Sequence, residues 1–595
     1  MNIGSTVTEQ SAPSDKDFSK GMRPIDLGRG GFLAFLAATL CLAALTYYSL
    51  ASFWPKFSRA EVFFAECARE MLLSGNFVTP LYHGQPFFDK PILVYWLIIL
   101  MFKGFGLSHL AARIPSIICA LGTLALTGFA GAALHGRRSG LIAASTLATS
   151  FMFLSFASLC MSDMLLVFLD TLSLSLLFWG IQKAKKRDLL WFAAAISMGL
   201  AFLTKGPIGI VLPSFTFFSY LALTRQFGIF SIRHALYAIL TMAIVCSPWF
   251  VAVWRANGVS ALLYFFVHEN LERFTGSQYD ARKPFWYTIA SLFYGFAPWS
   301  IFLPPAFIQF VRDLRRNGLN PKLNSPLFLW LWILIAVGFF CFSRGKCDYY
   351  TLPAYPAAAI LIASFIEEQI NQRTNFLKIM LAIFAGGFLV FSFGTYGILI
   401  SSADSTLAWW AVPISLVFSG AAMLAFLAKN RLGLSLSTAA VGIAITTILF
   451  SAEILPDIAS MEPIADYAHL VNSAAVDTRV GVDKSLHGWI DEISFQTGKH
   501  PAILADASDV GKFLDGSTAS LALIPQDRLD ELPVQSRSRL KVLSRANVIT
   551  HALTPGYVFE RGGNLRDPIA VIMVASPGVG KSEAIQESQG TKSGL

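Results

Sequence analysis

Three stretches of this chain crowd cations, carboxylates and phenols between long apolar runs. They are Phe87-Phe88-Asp89-Lys90-Pro91, then His268-Glu269-Asn270-Leu271-Glu272-Arg273-Phe274, then Ser343-Arg344-Gly345-Lys346-Cys347-Asp348-Tyr349-Tyr350-Thr351-Leu352-Pro353. Two cations with a hydroxyl suit a phosphate, because charge-assisted hydrogen bonds are the strong ones. Arg344, Lys346 and the paired tyrosines supply that set; a polar turn with interfacial tyrosines is the alternative. His268 and Glu272 stand four apart, with Arg273 adjacent and Gln278-Tyr279-Asp280 and Arg282-Lys283-Pro284 following. A metal ion there needs a carboxylate from elsewhere, and Asp89 is the candidate. Asp89-Lys90-Pro91 also reads as a helix start whose lysine snorkels to water. Asp163 and Lys205 stand at further borders of apolar runs, where charged groups that converge are usually functional.

The elements that carry these residues are membrane helices. Of 595 residues 54% are hydrophobic and 14% charged, against roughly 25% charged in soluble proteins, and mean hydropathy is +0.57. A soluble enzyme, a disordered scaffold and a disulfide-stapled secreted domain are excluded. The net charge, 46 − 37 = +9, fits basic cytoplasmic loops better than nucleic-acid binding. A crossing needs roughly 20 apolar residues. Thirteen spans are read near 31–52, 110–134, 140–160, 164–182, 190–203, 207–223, 234–254, 289–310, 326–343, 350–366, 376–400, 407–428 and 433–451. The pair around 190–223 is broken at Lys205-Gly206-Pro207, and the short apolar stretch 91–105 is read as interfacial.

Alternate connections carry Lys16, Lys20, Arg23 and Arg29; Arg137 and Arg138; Lys183 to Arg187; Arg225 and Arg233; Arg312 to Lys322; and Lys429 and Arg431. By the positive-inside rule that side is the cytoplasm. Residues 1–30 are then a cytosolic tail without a cleavable signal, and the C-terminus lies outside. The outer face holds the loops 53–109 and 255–288 together with the tail 452–595. In the first loop Phe63, Cys67, Met71 and Leu72 share one helix face with charges opposite, and Gly75 is placed as a C-cap. An amphipathic helix lying at the interface is expected.

The tail alternates β-rich runs (479–482, 521–524, 540–543) with helical patterns such as 507–513, which predicts a small α/β domain with a disordered end. Ala575–Ser582 imitates a phosphate-binding loop after the apolar run 569–574, but thirteen residues beyond it are too few for a nucleotide domain. The seven cysteines show no metal spacing, and a Cys67–Cys347 disulfide stays open.

Along residues 30–450 the motifs fall in a telling order: Glu61, Ala65-Glu66, Ala68-Arg69-Glu70-Met71, Gly75, Pro80, Phe88-Asp89-Lys90-Pro91 and Tyr95-Trp96. Asp163, Leu203-Thr204-Lys205-Gly206-Pro207, His268-Glu269-Asn270 with Arg273-Phe274, and Arg344-Gly345-Lys346 with Tyr350, Leu352-Pro353 and Tyr355-Pro356 follow. This series resembles the ArnT/dolichyl-phosphate-mannose mannosyltransferase superfamily, and within it the bacterial aminoarabinose transferases that modify lipid A. The resemblance implies an all-α polytopic membrane protein of the GT-C glycosyltransferase fold with about thirteen helices and a small outer α/β domain. It implies that Lys90, Arg273 and Tyr350, with Lys346, hold the phosphate of a polyprenyl carrier, and that Asp163 lies in the catalytic cavity. Asp89 and His268 match a pair around a divalent metal such as zinc, Asp89 standing where glutamate is more frequent. The pattern departs at Ala60-Glu61 and Phe63, where the family has Asp-Glu and an arginine. Glu61 or Asp163 then carries the base role, or the substrate has changed, or catalysis is weak.

A sugar linked to a polyprenyl phosphate already has a good leaving group, so no nucleotide is required. Cations stabilise the departing phosphate and a carboxylate takes the acceptor's proton. The expectation is a multi-pass enzyme of the bacterial inner membrane that moves a monosaccharide from an undecaprenyl-phosphate donor to lipid A or another glycolipid. A secondary transporter or flippase would show polar groups at midplane in duplicated halves; a binding protein without turnover is the third reading.

Overall fold

The computed structural model describes residues 28–54, 56–276, 283–318, 324–372, 375–401, 407–456, 464–515, 518–548 and 569–576. Most of the expected N-terminal tail, Gln278 to Asp280, Arg282, and the greater part of the phosphate-loop imitation and the disordered end lie outside the described residues.

The chain is a multi-pass membrane protein. Ten helices among the described residues are long and apolar enough to cross a membrane, or twelve segments if two bent pairs each count as one. Thirteen are expected from hydropathy alone, and the difference is geometric. The 140–160 segment is two helices bent by 69°, and the 289–310 segment is two helices bent by 110°. Ile208–Leu223 has 16 residues, short of the roughly 20 that a straight crossing takes. The helices pack through small residues. A Cβ on Gly140 would lie 2.3 Å from the Gly128 carbonyl oxygen and 2.8 Å from Ala132, so His109–His135 and Arg137–Ala148 touch backbone to backbone, the contact that drives helix association in lipid.

Much of the expected second loop is helical. Ile232–Leu263 kinks at Gly258, whose φ of 76° only glycine adopts freely, and continues as a π-helical turn Tyr264–Glu272 and a last turn Arg273–Thr275. The polar residues that suggested a loop instead pair one turn apart along this extension.

In the first loop the helix Arg59–Ser74 starts at a Ser58/Glu61 capping box and ends, as expected, at Gly75 in the left-handed region. Its charged face does not meet water. Glu61, Glu66, Arg69 and Glu70 are all buried: Glu61 lies under Arg113, and the Ile490–Thr497 helix of the C-terminal domain packs on the same helix. A two-residue hairpin, Leu81–Tyr82 with Gln85–Pro86, and the helix Leu93–Phe105 complete the loop.

The C-terminal domain is a three-layer α/β unit. Its sheet runs in the order Ala502–Leu504, Arg479–Asp483, Ser520–Pro525, Ile569–Ala575, Lys541–Val548. The first three strands are parallel, and the last two join antiparallel. Successive side chains of a strand face opposite ways, and here both faces are covered. Leu521, Leu523, Val571 and Met573 meet Tyr467, Val471 and Ile493 on one side; Ala522, Ile524, Ile572 and Val574 meet Val510, Phe513 and Leu529 on the other. Burial on both faces is why these strands read as unbroken apolar runs. The apolar 569–574 run is thus a sheet strand.

The domain sits on the first loop through polar contacts. The Phe57 amide donates to Glu492 Oε2 at 2.8 Å, and His109 Nε2 lies 2.6 Å from Glu492 Oε1. Tyr82 donates to Asp491, and His83 Nε2 lies 2.9 Å from the same carboxylate oxygen. That hydrogen bond is the main cause holding the His83 imidazole above its ordinary pKa. The seven cysteines are free, so Cys67 and Cys347 are not joined.

Candidate active site

Segments far apart in sequence close one cavity of about 940 Å³. Asp89 and Lys90 enter it from the turn that precedes Leu93–Phe105. Asp163 is the first residue of Asp163–Gln182, where the positive end of the helix favours a carboxylate. Lys205 is the last residue of Arg187–Lys205, whose chain turns away at Gly206 with φ of 79°. A Cβ on Gly206 would stand 2.9 Å from the Phe265 ring and 3.1 Å from Asn270 Oδ1, so the Lys-Gly-Pro break also seats this turn against the extended helix. Arg273 and Glu269 come from that extension, and Tyr349 and Tyr350 from the 3₁₀ turn Asp348–Ala354.

Every cation in the cavity has an acid partner. Lys90 Nζ lies 2.8 Å from Asp89 Oδ1. Arg273 Nη1 reaches the same oxygen at 3.1 Å and Glu269 Oε2 at 3.2 Å. Lys205 Nζ lies 2.5 Å from Asp163 Oδ1 and over the rings of Tyr349 and Tyr350, 5.3 and 5.4 Å from their centroids. Among the described lining residues three cations thus face three carboxylates, Asp89, Asp163 and Glu269. The cup is charge-balanced, not net positive. Burial works against both members of the first pair. At Asp89 the Lys90 ammonium and the Arg273 guanidinium outweigh it and hold the carboxyl well below the usual range. At Lys90 burial prevails over the attraction of Asp89, and Arg273 adds to it, so the ammonium gives up its proton more readily than an ordinary lysine.

Lys90, Arg273, Tyr350 and Asp163 therefore converge as expected. Three other expected residues do not. Glu61 is fully buried away from the cavity. Its Oε1 accepts from Arg113 Nε and the Cys160 amide, both at 2.8 Å, and its Oε2 from the Ser58 amide at 2.9 Å. It is a structural staple and cannot be the base. Lys346 is buried and turns its ammonium onto the Ser343 carbonyl and, at 3.4 Å, the Lys283 carbonyl. It shapes the turn that presents Tyr349 and Tyr350 and does not line the cavity. His268 spends Nδ1 on Glu272 Oε2 at 2.8 Å, outside the lining, while Asp89 already faces two cations. A metal ion would place a third positive charge on that carboxylate, so the pair as arranged does not fit one.

Two lining residues were given no role in the site from sequence: Glu269, and Lys205, which was noted only as a charged residue at a membrane border. The sequence signal for Glu269 is its four-residue spacing from Arg273, the separation of side chains on adjacent helix turns. For Lys205 it is a lone cation between two apolar helices.

The family model for dolichyl-phosphate-mannose-protein mannosyltransferase matches residues 89–254. An uncharacterised protein of Aquifex aeolicus is 30% identical over 350 residues, 58% of this chain and 66% of that protein. An undecaprenyl phosphate-α-4-amino-4-deoxy-L-arabinose arabinosyl transferase of Proteus mirabilis is 30% identical over 311 residues, 51% of this chain and 54% of its own length. The chain thus spans between half and two thirds of these curated relatives. The solved structure of ArnT from Cupriavidus metallidurans bound to undecaprenyl phosphate superimposes with a TM-score of 0.71, at 21% identity, covering 93% of this chain and all of that one. The chain has the fold of that ArnT and over about half its length is similar in sequence to arabinosyl transferases of that kind. Within this ArnT-like fold the departure from the family pattern falls on the cavity itself. Ala60 and Phe63 both line it, and Phe63 stacks on Phe87 with ring centroids 6.1 Å apart. Apolar surface stands where the resemblance predicts an acid and a cation. Of the three lining carboxylates, Asp89 and Glu269 share Arg273, while Asp163 pairs with Lys205.

Proposed function

We infer that this protein is a glycosyltransferase that moves a monosaccharide from a polyprenyl phosphate, of the undecaprenyl type, to a glycolipid acceptor such as lipid A. The observation that carries this reading is the convergence of Lys90, Arg273, Tyr350 and Asp163 on one cavity. Its mouth is apolar and outward-facing: Val211, Tyr264, Phe266 and Leu271 line it and are exposed. An anionic headgroup can thus sit among the cations while its isoprenoid tail stays in lipid.

The acceptor hydroxyl oxygen bonds to the anomeric carbon as the bond from that carbon to the phosphate oxygen breaks. The electron pair leaves with the phosphate, where Lys90 and Arg273 meet the developing charge. The hydroxyl proton passes to Asp163. A bound phosphate competes with Asp163 for Lys205, and movement of Lys205 toward it frees the carboxylate oxygen for that proton. Donor binding and base activation are in this way coupled.

The protein works in the bacterial inner membrane with its N-terminus in the cytoplasm and the C-terminal domain in the periplasm. The distribution of basic connections and the seating of that domain on the first long loop support this sidedness. The apolar surface at Ala60 and Phe63 favours one other reading, a protein that binds the carrier without turning it over. Incubating purified protein with a panel of polyprenyl-phosphate sugars and glycolipid acceptors separates the two. Product formed by the wild type and lost in Asp163→Asn supports transfer; tight carrier binding with no product on any pair supports the alternative.

A further inference from the structure

A second cluster of ligating side chains lies outside the cavity, on the seam between the first loop and the C-terminal domain. Glu66 and Glu70, one turn apart on Arg59–Ser74, and His500, just past the Ile490–Thr497 helix, place one donor atom each within 4.8 Å of one another. The two glutamates are buried, and His500 is half exposed, which leaves a path from solvent.

A separate observation points to a ligand. Glu70 Oε2 accepts from the Gly84 amide at 2.9 Å, but its Oε1 is buried with no hydrogen-bond partner. That oxygen is aimed at the His500 imidazole, whose Nε2 stands 3.9 Å away, too far for a hydrogen bond. A buried carboxylate oxygen left without a partner is costly, and an ion between the two groups would satisfy both. One imidazole and two carboxylates make a set that zinc accepts, with water in the fourth position. Tetrahedral coordination at ~2.0–2.2 Å sets donors about 3.4 Å apart, so small side-chain rotations would close the site. Both Glu66 oxygens also accept from Arg69, at 2.8 and 2.6 Å, and a carboxylate oxygen has a second lone pair that an ion can use.

We propose that Glu66, Glu70 and His500 form a structural site for a divalent cation of the zinc class, which clamps the C-terminal domain to the loop that presents Asp89 and Lys90. It is distinct from the Asp89/His268 pair. The test is zinc binding by the purified full-length protein, freed of any affinity tag and stripped with chelator, then equilibrated with Zn²⁺ and assayed for bound metal. Wild type is expected to retain one equivalent that His500→Ala and Glu70→Gln lose and His268→Ala keeps. Zn²⁺ should also raise the thermal midpoint of the wild type but not that of His500→Ala, since a ligand bound only by the folded state stabilises it. His500 is half exposed, so its loss leaves folding intact and the comparison valid. Absence of bound zinc in folded wild type, or equal retention by His500→Ala, overturns the proposal.

Discussion

Lys205 Nζ and Asp163 Oδ1 meet at 2.5 Å across 42 residues of sequence. One ends a membrane helix and the other begins one, and the pair ties two helix ends at the floor of the cavity. Both side chains are largely withdrawn from water, and removing one partner of such a pair leaves the other charge uncompensated. Lys205→Ala should therefore lose about 3 kcal/mol of stability as well as transfer. The double variant Asp163→Asn/Lys205→Ala should recover most of the stability and none of the activity. Thermal unfolding beside turnover checks this, and recovered activity in the double variant would remove Asp163 from the chemistry.

Glu61 is expected to matter for folding alone. It fixes Arg113, Cys160 and Ser58 at once, so Glu61→Ala should destabilise by about 3 kcal/mol. The fraction that folds should bind polyprenyl phosphate as wild type does. A variant of normal stability without transfer would return Glu61 to the catalytic step.

Lys346 offers a parallel contrast. Because its ammonium holds backbone carbonyls, Lys346→Met should lower the melting temperature and leave the donor KM within about twofold. A large rise in KM at unchanged stability would place Lys346 on the phosphate after all.

The His83–Asp491 contact gives the domain seam a pH dependence. The imidazole pKa is raised in the folded protein above an ordinary value of about 6.5. Its stabilisation is then fully present below that ordinary value and fades as pH rises through the raised one. In metal-free buffer the stability gap between wild type and His83→Ala should narrow as pH rises above about 6.5. A gap that widens with pH would mean that the histidine is held neutral.

Much of this was legible in the chain because lipid imposes simple rules. Every expected span is present as helix, and the Gly75 cap ends the first-loop helix as expected. The misreadings share a cause, which is long-range pairing. Glu61 was offered as a base because its partner Arg113 lies 52 residues on. The charged face of the first-loop helix looked wet because its cover comes from Ile490–Thr497, hundreds of residues away. The Tyr264–Thr275 extension passed for a loop because it is polar, although Glu269/Arg273 and His268/Glu272 keep helical spacing. Convergence on the cavity was readable only through the family resemblance, since no local pattern tells Lys90, which lines it, from Lys346, which does not.

The central claim is that Lys90 grips the phosphate of an isoprenoid carrier, and carrier affinity measures it most directly. Binding of undecaprenyl phosphate to purified wild type and to Lys90→Met should be compared in one detergent, with folding of both confirmed by thermal unfolding. Loss of one charged hydrogen bond predicts a Kd raised roughly 10- to 100-fold. An unchanged Kd in a folded Lys90→Met protein would contradict the account.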